Sequence, residues 1–120
     1  MAKIKIKLTV DDEAIKRLSA AIDQAVTTGL LKGAYEVERQ AKIFSPVDTG
    51  TLRRSIKTEN VKKNNNKYSI AVSPSVAYAE FVERPGPVRR TGQRPFLAPA
   101  LVQAFPRIIN HISNELRRIG

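Results

Sequence analysis

One short motif in the chain has the residue types of a known catalytic site. Asp48, Thr49 and Gly50 form the Asp-Thr-Gly triplet that carries the active-site carboxylate of aspartic proteases. Such enzymes place two carboxylates together so that they share one proton. After Pro46, the same residues are also typical of a tight turn, in which Asp accepts backbone hydrogen bonds and Gly adopts a positive φ. The triplet therefore supports two incompatible interpretations.

The neighbouring residues favour the turn. Pro46 stands two residues before Asp48, and Thr51-Leu52-Arg53-Arg54 follows Gly50, whereas the protease triplet normally follows an apolar strand and precedes Ala or Ser. Long helical patterns elsewhere in the chain also disagree with a nearly all-β protease. We therefore expect this motif to be structural, with Gly50→Val more damaging to stability than loss of Asp48.

Other catalytic chemistry finds little support in the composition. The chain has no cysteine and one histidine, His111, so thiolate metal sites, histidine metal sites and catalytic triads are not expected. No glycine-rich loop suited to phosphate binding is present. The sequence predicts a protein that is not an enzyme and that binds no metal or cofactor.

Charge is the unusual property of the composition. The 120 residues include 21 Lys+Arg against 11 Asp+Glu, a net charge of +10, with ordinary contents of hydrophobic (42%) and charged (27%) residues. This excess favours an acidic partner, either nucleic acid or an acidic protein surface. The basic residues are scattered and fit no known nucleic-acid-binding signature. A basic nucleic-acid-binding module remains the alternative function.

The sequence predicts neither a membrane span nor a secretion signal. No apolar run approaches the roughly 20 residues of a membrane span, and the alternating start Met-Ala-Lys-Ile-Lys-Ile-Lys lacks the apolar core of a signal peptide. We therefore expect synthesis in the cytoplasm and no membrane partner.

The first part of the chain predicts a strand and a long helix. Residues 3–10 alternate between lysine or threonine and aliphatic residues, which indicates a half-buried edge strand; its lysines either resist unwanted pairing or form a basic binding stripe. Asp11 or Asp12 can cap a helix that continues to Phe44. Gly29 and Gly33 indicate either a kink in this helix or a close approach by another helix.

The remainder predicts a β-meander, a loop and a last helix. Residues 52–61 alternate imperfectly as a strand that Leu52 begins, residues 62–67 form an asparagine-rich hairpin turn, and residues 68–73 return until Pro74. The last helix is expected to have Pro99 in its first turn and one apolar face at helical spacing, made of Leu101, Phe105, Ile108, Ile112, Leu116 and Ile119, with Val102 and Ile109 beside it. Pro106 predicts a kink or a restart in this helix. Together these elements predict an α+β fold, in which a small antiparallel sheet, made of the meander and the N-terminal edge strand, packs against a long N-terminal helix and a C-terminal helix.

The chain is expected to form one domain over residues 1–120, with one long irregular segment. Residues 84–94 contain two prolines, two glycines and four arginines, Arg84, Arg89, Arg90 and Arg94, with little that could be buried. This composition predicts a mobile loop, which is either simply solvated or an arm that becomes ordered against a neighbouring subunit.

Three blocks of the sequence resemble the tail-completion, or head–tail joining, family of long-tailed phages and prophages, typified by gene product ten of the HK ninety-seven phage. They are Ala41 to Ile56, which contains Pro-Val-Asp-Thr-Gly-Thr-Leu-Arg-Arg-Ser-Ile; Val76 to Glu83, which contains Tyr-Ala-Glu-Phe-Val-Glu; and Arg94 to Leu101, Arg-Pro-Phe-Leu-Ala-Pro-Ala-Leu. The family often has an aromatic residue and Gly-Thr after the second block. Here Arg84-Pro85-Gly86-Pro87 stands instead, which puts the geometry of that loop in doubt.

The resemblance implies a non-enzymatic virion protein between the tail tube and the head connector. It also implies a homo-oligomeric ring, with a hexamer as the expected form, whose partners are other tail and connector proteins; a non-specific contact with DNA stays open. The family motif transfers structural or assembly roles to ten residues: Pro46, Asp48, Thr49, Gly50, Leu52, Tyr78, Ala79, Glu83, Pro95 and Phe96. The four arginines of residues 84–94 are the candidate subunit-contact arm.

Overall fold

The protein, studied as a computed structural model, is an antiparallel sheet packed against two long helices. The structure describes residues 3–45, 50–76 and 96–119, without the side chains of residues 12 and 14–19. The elements in this part of the chain are β1 (Ile4–Thr9), α1 (Asp12–Phe44), α2 (Thr51–Ser55), β2 (Lys57–Thr58), β3 (Lys62–Asn64), β4 (Lys67–Ser73) and α3 (Leu97–Arg117). The predicted α+β fold is confirmed.

Helix α1 begins and ends at the residues that the sequence indicated. The Asp11 carboxylate accepts a hydrogen bond from the Glu13 backbone N–H at 3.4 Å, which caps the first turn. The helix continues without a break through Gly29 and Gly33 to Phe44. Ser45 then has extended backbone angles, φ −66° and ψ 146°, as expected for a residue that precedes proline.

Glycines bring α1 and α3 into close contact. A Cβ atom placed on Gly29 would lie 2.7 Å from the Ile112 Cα, and one placed on Gly33 would lie 3.0 Å from the Ile108 Cγ2. The close-approach interpretation of these glycines is therefore correct, and no kink is needed to explain them. On the borders of this seam, the Lys32 Nζ lies 3.0 Å from a Glu115 carboxylate oxygen and the Arg107 guanidinium lies 3.3 Å from the Glu36 carboxylate.

Strand β4 is the centre of the sheet. It pairs with β1 on one edge and with both β2 and β3 on the other, always antiparallel. The β3–β4 turn contains Asn65 at φ 56°, so the predicted asparagine-rich hairpin is present, but the turn is shorter than predicted because Lys62–Asn64 forms β3 and Lys67 already belongs to β4. The predicted N-terminal edge strand is likewise confirmed, and β4 ends at Ser73, directly before Pro74.

The pairing along one edge of β4 slips by one residue between β2 and β3. Thr58 lies opposite Val72, whereas Lys62 lies opposite Ser69, so three residues on the first side face two on β4. One extra residue is the signature of a β-bulge. The bulge determines which side chains of β3 point toward the helices and which point away.

The core lies between the sheet and the two long helices. Among its fully buried side chains are residues from every layer: Val26, Leu30, Val37, Ile56, Tyr68, Ile70, Val72, Phe96 and Leu97. Burial removes these apolar side chains from water, which stabilises the folded state by about 25 cal/mol for each Å² of apolar surface. Aliphatic residues of β1 (Ile4, Ile6 and Leu8) pack against this cluster and remain partly accessible.

The segment after Gly50 differs from the prediction. The structure has a short helix, α2, where a strand beginning at Leu52 was expected, and strand pairing starts only at Lys57. Leu52 and Ile56 are both buried, and their spacing of four residues brings them to one side of a helical turn. The Ser55 hydroxyl also donates to the Leu52 carbonyl at 2.8 Å. The strand prediction was wrong because this segment buries one helical pair instead of alternate residues.

Helix α3 runs through Pro106 without ending, so the predicted restart is wrong. Pro106 lies on the exposed side of the helix. Its ring nitrogen cannot donate to the Val102 carbonyl, and that carbonyl lies on the accessible side, where water can serve as its partner. His111 of the same helix is half-buried, with its Nε2 atom 3.9 Å from the Glu36 carboxylate.

Gly29→Ala is expected to destabilise the protein although alanine is the better helix former by about 1 kcal/mol. The new methyl group would meet the Ile112 backbone, which cannot rotate away, so a net loss of roughly 1–3 kcal/mol is expected in urea unfolding. Gly33→Ala is the matched control, because it meets only side-chain atoms of Ile108 and should lose less. A Gly29→Ala variant as stable as wild type would contradict the close approach.

Gly50→Val is expected to cost roughly 2 kcal/mol or more, because Gly50 has φ 73° and a β-branched residue is strained there. Gly50→Asn is the control, since asparagine tolerates this conformation and should lose less than about 1 kcal/mol. The nearest atom to an added Cβ is the flexible end of Arg54 at 3.0 Å, so space does not decide the result. Equal thermal stability of the two variants would show that the positive φ is not required.

Candidate functional site

The outer side of the sheet carries rows of polar and basic residues. In β1, the aliphatic side chains alternate with Lys5, Lys7 and Thr9, which point away from the helices. Lys7 lies opposite Ser69 of β4, and Ser69 in turn lies opposite Lys62 of β3. Directly paired residues project to the same side of a sheet, and strands lie about 4.8 Å apart. The two lysines therefore flank Ser69 at a Cα separation of about 10 Å.

Further lysines extend this surface. Lys67 occupies β4 between Thr9 and Asn64, and Lys57 lies opposite Ser73 in β2. We call the resulting surface the lysine face, and its exposed members are Lys3, Lys5, Lys7, Lys57, Lys62 and Lys67.

Within the described residues, Glu59 is the one acidic side chain that we place on the lysine face. Its carboxylate accepts a hydrogen bond from the Ser73 hydroxyl at 3.3 Å and lies 4.0 Å from the Lys3 Nζ. One carboxylate against this group of lysines leaves a strong excess of positive charge. Lys5, Lys62 and Ser69 also line two adjoining hollows, the larger of about 330 Å³.

A separate ion pair lies beneath the lysine face, on the helix side of the sheet. Both the Lys63 Nζ, at 2.7 Å, and the Tyr68 hydroxyl, at 2.9 Å, lie next to the same Asp23 oxygen. The hydrogen bonds from Lys63 and Tyr68 lower the pKa of Asp23, and the one to Asp23 raises the pKa of Lys63. Burial, followed by the bond to Asp23, raises the pKa of the Tyr68 phenol. These shifts keep Asp23 ionised, Lys63 protonated and the Tyr68 phenol neutral at pH 7. The cluster therefore holds α1 against β4.

Helix α3 carries a second surface of the opposite character. Val102, Phe105, Ile109 and Leu116 recur at helical spacing and are 75%, 55%, 47% and 40% exposed. We call them the α3 stripe. Singly exposed apolar residues are normal, whereas an aligned row of large ones marks a contact surface. On the neighbouring side of the helix, Ala100, Ala104 and Ile108 are buried against α1.

The sequence pattern alone did not separate these two sides of α3. It placed Phe105 and Leu116 on the same apolar face as Ile108, but both are exposed. The apolar arc of α3 is wider than one partner helix can cover. The sequence did contain one indication of this. Val102 and Ile109 lie beside the main apolar row of α3, which makes the apolar surface too wide for contact with a single helix.

Three of the ten predicted motif residues lie in the described part of the chain. Gly50 precedes α2 in the left-handed conformation, and Leu52 and Phe96 are buried in the core. The other seven, Pro46, Asp48, Thr49, Tyr78, Ala79, Glu83 and Pro95, lie outside the described residues, as do Arg84, Arg89, Arg90 and Arg94.

Neither a metal site nor a membrane span was found in the described ranges. No group of three or more His, Cys, Asp or Glu residues is close enough there to hold a metal ion. No described helix combines the length and the apolar character that crossing a membrane requires.

Comparison with known proteins adds one match. The family model described as "Bacteriophage HK97-gp10, putative tail-component" matches residues 12–84. Searches of curated proteins and of solved structures returned no match. The family match extends from α1 through β4 and includes the Pro-Val-Asp-Thr-Gly segment that carries the sequence resemblance. Because it covers more than half of the chain, this protein belongs to the HK97-gp10-like family of phage tail components.

Proposed function

We propose that this tail component is a non-enzymatic tail-completion protein, which forms a ring of identical subunits between the tail tube and the head connector of the virion. The observation that carries the proposal is the α3 stripe, a row of large apolar side chains that the isolated subunit exposes to water. Membership of a phage tail-component family supports an assembly role for such a surface.

A ring requires two different surfaces on each subunit, because the contact between neighbours runs head to tail. The α3 stripe is one candidate. The other is at the C-terminal part of α1, where Tyr35, Ile43 and Phe44 are 53%, 59% and 41% exposed. If the α3 stripe of one subunit packed on the α1 surface of the next, both surfaces would be removed from water. Closure of the ring would bury them in every subunit.

The outer edge of β1 offers a further contact to a neighbouring tail or connector protein. Within the described sheet β1 pairs only with β4, so the backbone groups of its other edge have no strand partner there. An edge of this kind can accept an added strand. Its lysines limit indiscriminate pairing with other strands.

Adding charge to the α3 stripe is expected to block assembly and leave the subunit folded. For the double variant Phe105→Glu, Ile109→Glu, both changes lie at exposed positions, so the core and the far-ultraviolet circular dichroism should be unchanged. Wild-type protein should assemble into species several times the 13.3 kDa subunit in native mass measurements, whereas the variant should remain a monomer.

Gln103→Glu, Asn110→Glu is the matched control. It adds the same charge to the same helix at exposed positions outside the stripe and should assemble like wild type. Equal assembly of the stripe variant and the control would overturn the proposed role of the stripe. Monomeric wild-type protein in the presence of purified tail tubes would overturn the ring itself.

Deletion of residues 84–94 is expected to leave the fold intact and to abolish ring formation or head–tail joining, because this arginine-rich segment contains little that a core could use. Thermal unfolding of the purified variant tests the fold, and electron microscopy of lysates tests joining. Unjoined heads and tails are the expected result. Normal virions made with the deletion variant would refute the proposed role of residues 84–94 in subunit contact.

A further inference from the structure

We infer that the lysine face binds the sugar-phosphate backbone of duplex DNA without reading its sequence. The inference depends on the sheet surface alone and would hold for a subunit in or out of a ring. Lysines on both sides of Ser69 and along β1 supply positive charge across the width of the sheet. Lysine is a compact, mobile point charge that pairs with phosphate without demanding one fixed geometry.

The other side chains on this surface explain why the base sequence would not be read. Between the lysines lie small or short polar residues, Thr9, Asn64, Ser69 and Ser73, and we place no arginine or aromatic side chain among them in the described strands. Guanine recognition commonly uses the two-pronged contact of arginine, and single strands are held by stacking on aromatic rings. The face therefore fits phosphate oxygens better than base edges or unstacked bases.

An acidic protein is the other class of partner for a basic surface, and the composition disfavours it. Lysine is depleted at protein–protein interfaces, which are built around apolar and aromatic anchors. Interfaces with DNA are more polar and much more positive. Ala71 is the apolar residue in the described middle of the face, and it is already buried. The α3 stripe has the opposite composition, which assigns protein and DNA contacts to different surfaces.

Protection of the sheet edges explains only part of the pattern. Edge strands often carry lysine to prevent pairing with other chains. Lys67, however, belongs to the central strand β4, and Lys7 and Lys62 are aligned across the sheet on either side of it. Edge protection acts on one strand at a time and does not require this alignment.

Binding of the full-length protein to a fluorescent duplex of about 25 base pairs, measured by anisotropy over a salt series, tests the inference. Each lysine that neutralises a phosphate contributes a slope of about −0.9 in log K against log salt. The triple variant Lys5→Gln, Lys7→Gln, Lys62→Gln should therefore reduce the slope by about 2 to 3 and weaken binding at least tenfold near 100 mM salt. A duplex of shuffled sequence should bind wild type equally well.

The control removes the same amount of charge elsewhere. Arg39 and Arg117 are exposed on the helices, and Arg118 is exposed directly after α3. Replacing all three with glutamine should leave the slope and the affinity within about twofold of wild type. Circular dichroism and thermal unfolding verify that both triple variants are folded. Equal loss in the two variants would show that net charge alone attracts DNA and would overturn the inference.

Two further results would also overturn it. One is a preference of at least tenfold for one duplex sequence, which would require base contacts that this surface does not offer. The other is weak binding to DNA combined with tight, lysine-dependent binding to poly-glutamate, which would assign the face to an acidic protein. Salt-sensitive, sequence-independent binding that the Lys5, Lys7 and Lys62 changes selectively weaken would support the DNA contact.

Discussion

The rest of the structure depends on the close approach of α1 and α3 at Gly29 and Gly33. Two helices whose facing residues lack bulk can bring their backbones together, and the ion pairs at Glu36 and Glu115 then close the borders of the seam. The paired helices form one layer, against which the inner side of the sheet buries Tyr68, Ile70 and Val72. The outer side of the sheet and the far side of α3 remain available because this layer uses only one side of each element.

The lysine face and the α3 stripe differ in chemical character. One is basic and polar and belongs to strands; the other is apolar and belongs to a helix. The core is complete without either of them, since the buried side chains of the core come from the inner side of the sheet, from α1, from the α2 segment, and from Phe96 and the inner side of α3. For a family of tail components this separation matters, because a subunit within an assembly must meet several neighbours while keeping its own fold.

The sequence was a good guide where the chemistry is local. The cap at Asp11, the asparagine turn at Asn65 and the end of β4 before Pro74 each follow from the preferences of a few adjacent residues. It failed at Leu52, because a helix of one turn and an irregular strand both place apolar residues a few positions apart. It also could not show that Phe105 and Leu116 are exposed, because periodicity gives the direction of an apolar side chain and not whether a partner is there. The lysine face required the pairing register across three strands, which no single segment contains.

The β-bulge between β2 and β3 has a consequence for how this surface can change between related chains. The extra residue sets the phase of β3, so that Lys62 points outward and Lys63 points inward to Asp23. Deleting one residue from 59–61 would leave two residues opposite the two on β4, which would remove the bulge and keep Lys62 opposite Ser69 and Lys63 opposite Tyr68. A one-residue deletion within a regular strand would exchange the inner and outer sides of the residues beyond it, whereas the bulge takes up such a change without moving Lys62 off the face. Relatives that are one residue shorter at this bulge would therefore keep the same two sides of β3, and only the local twist of this sheet edge would differ.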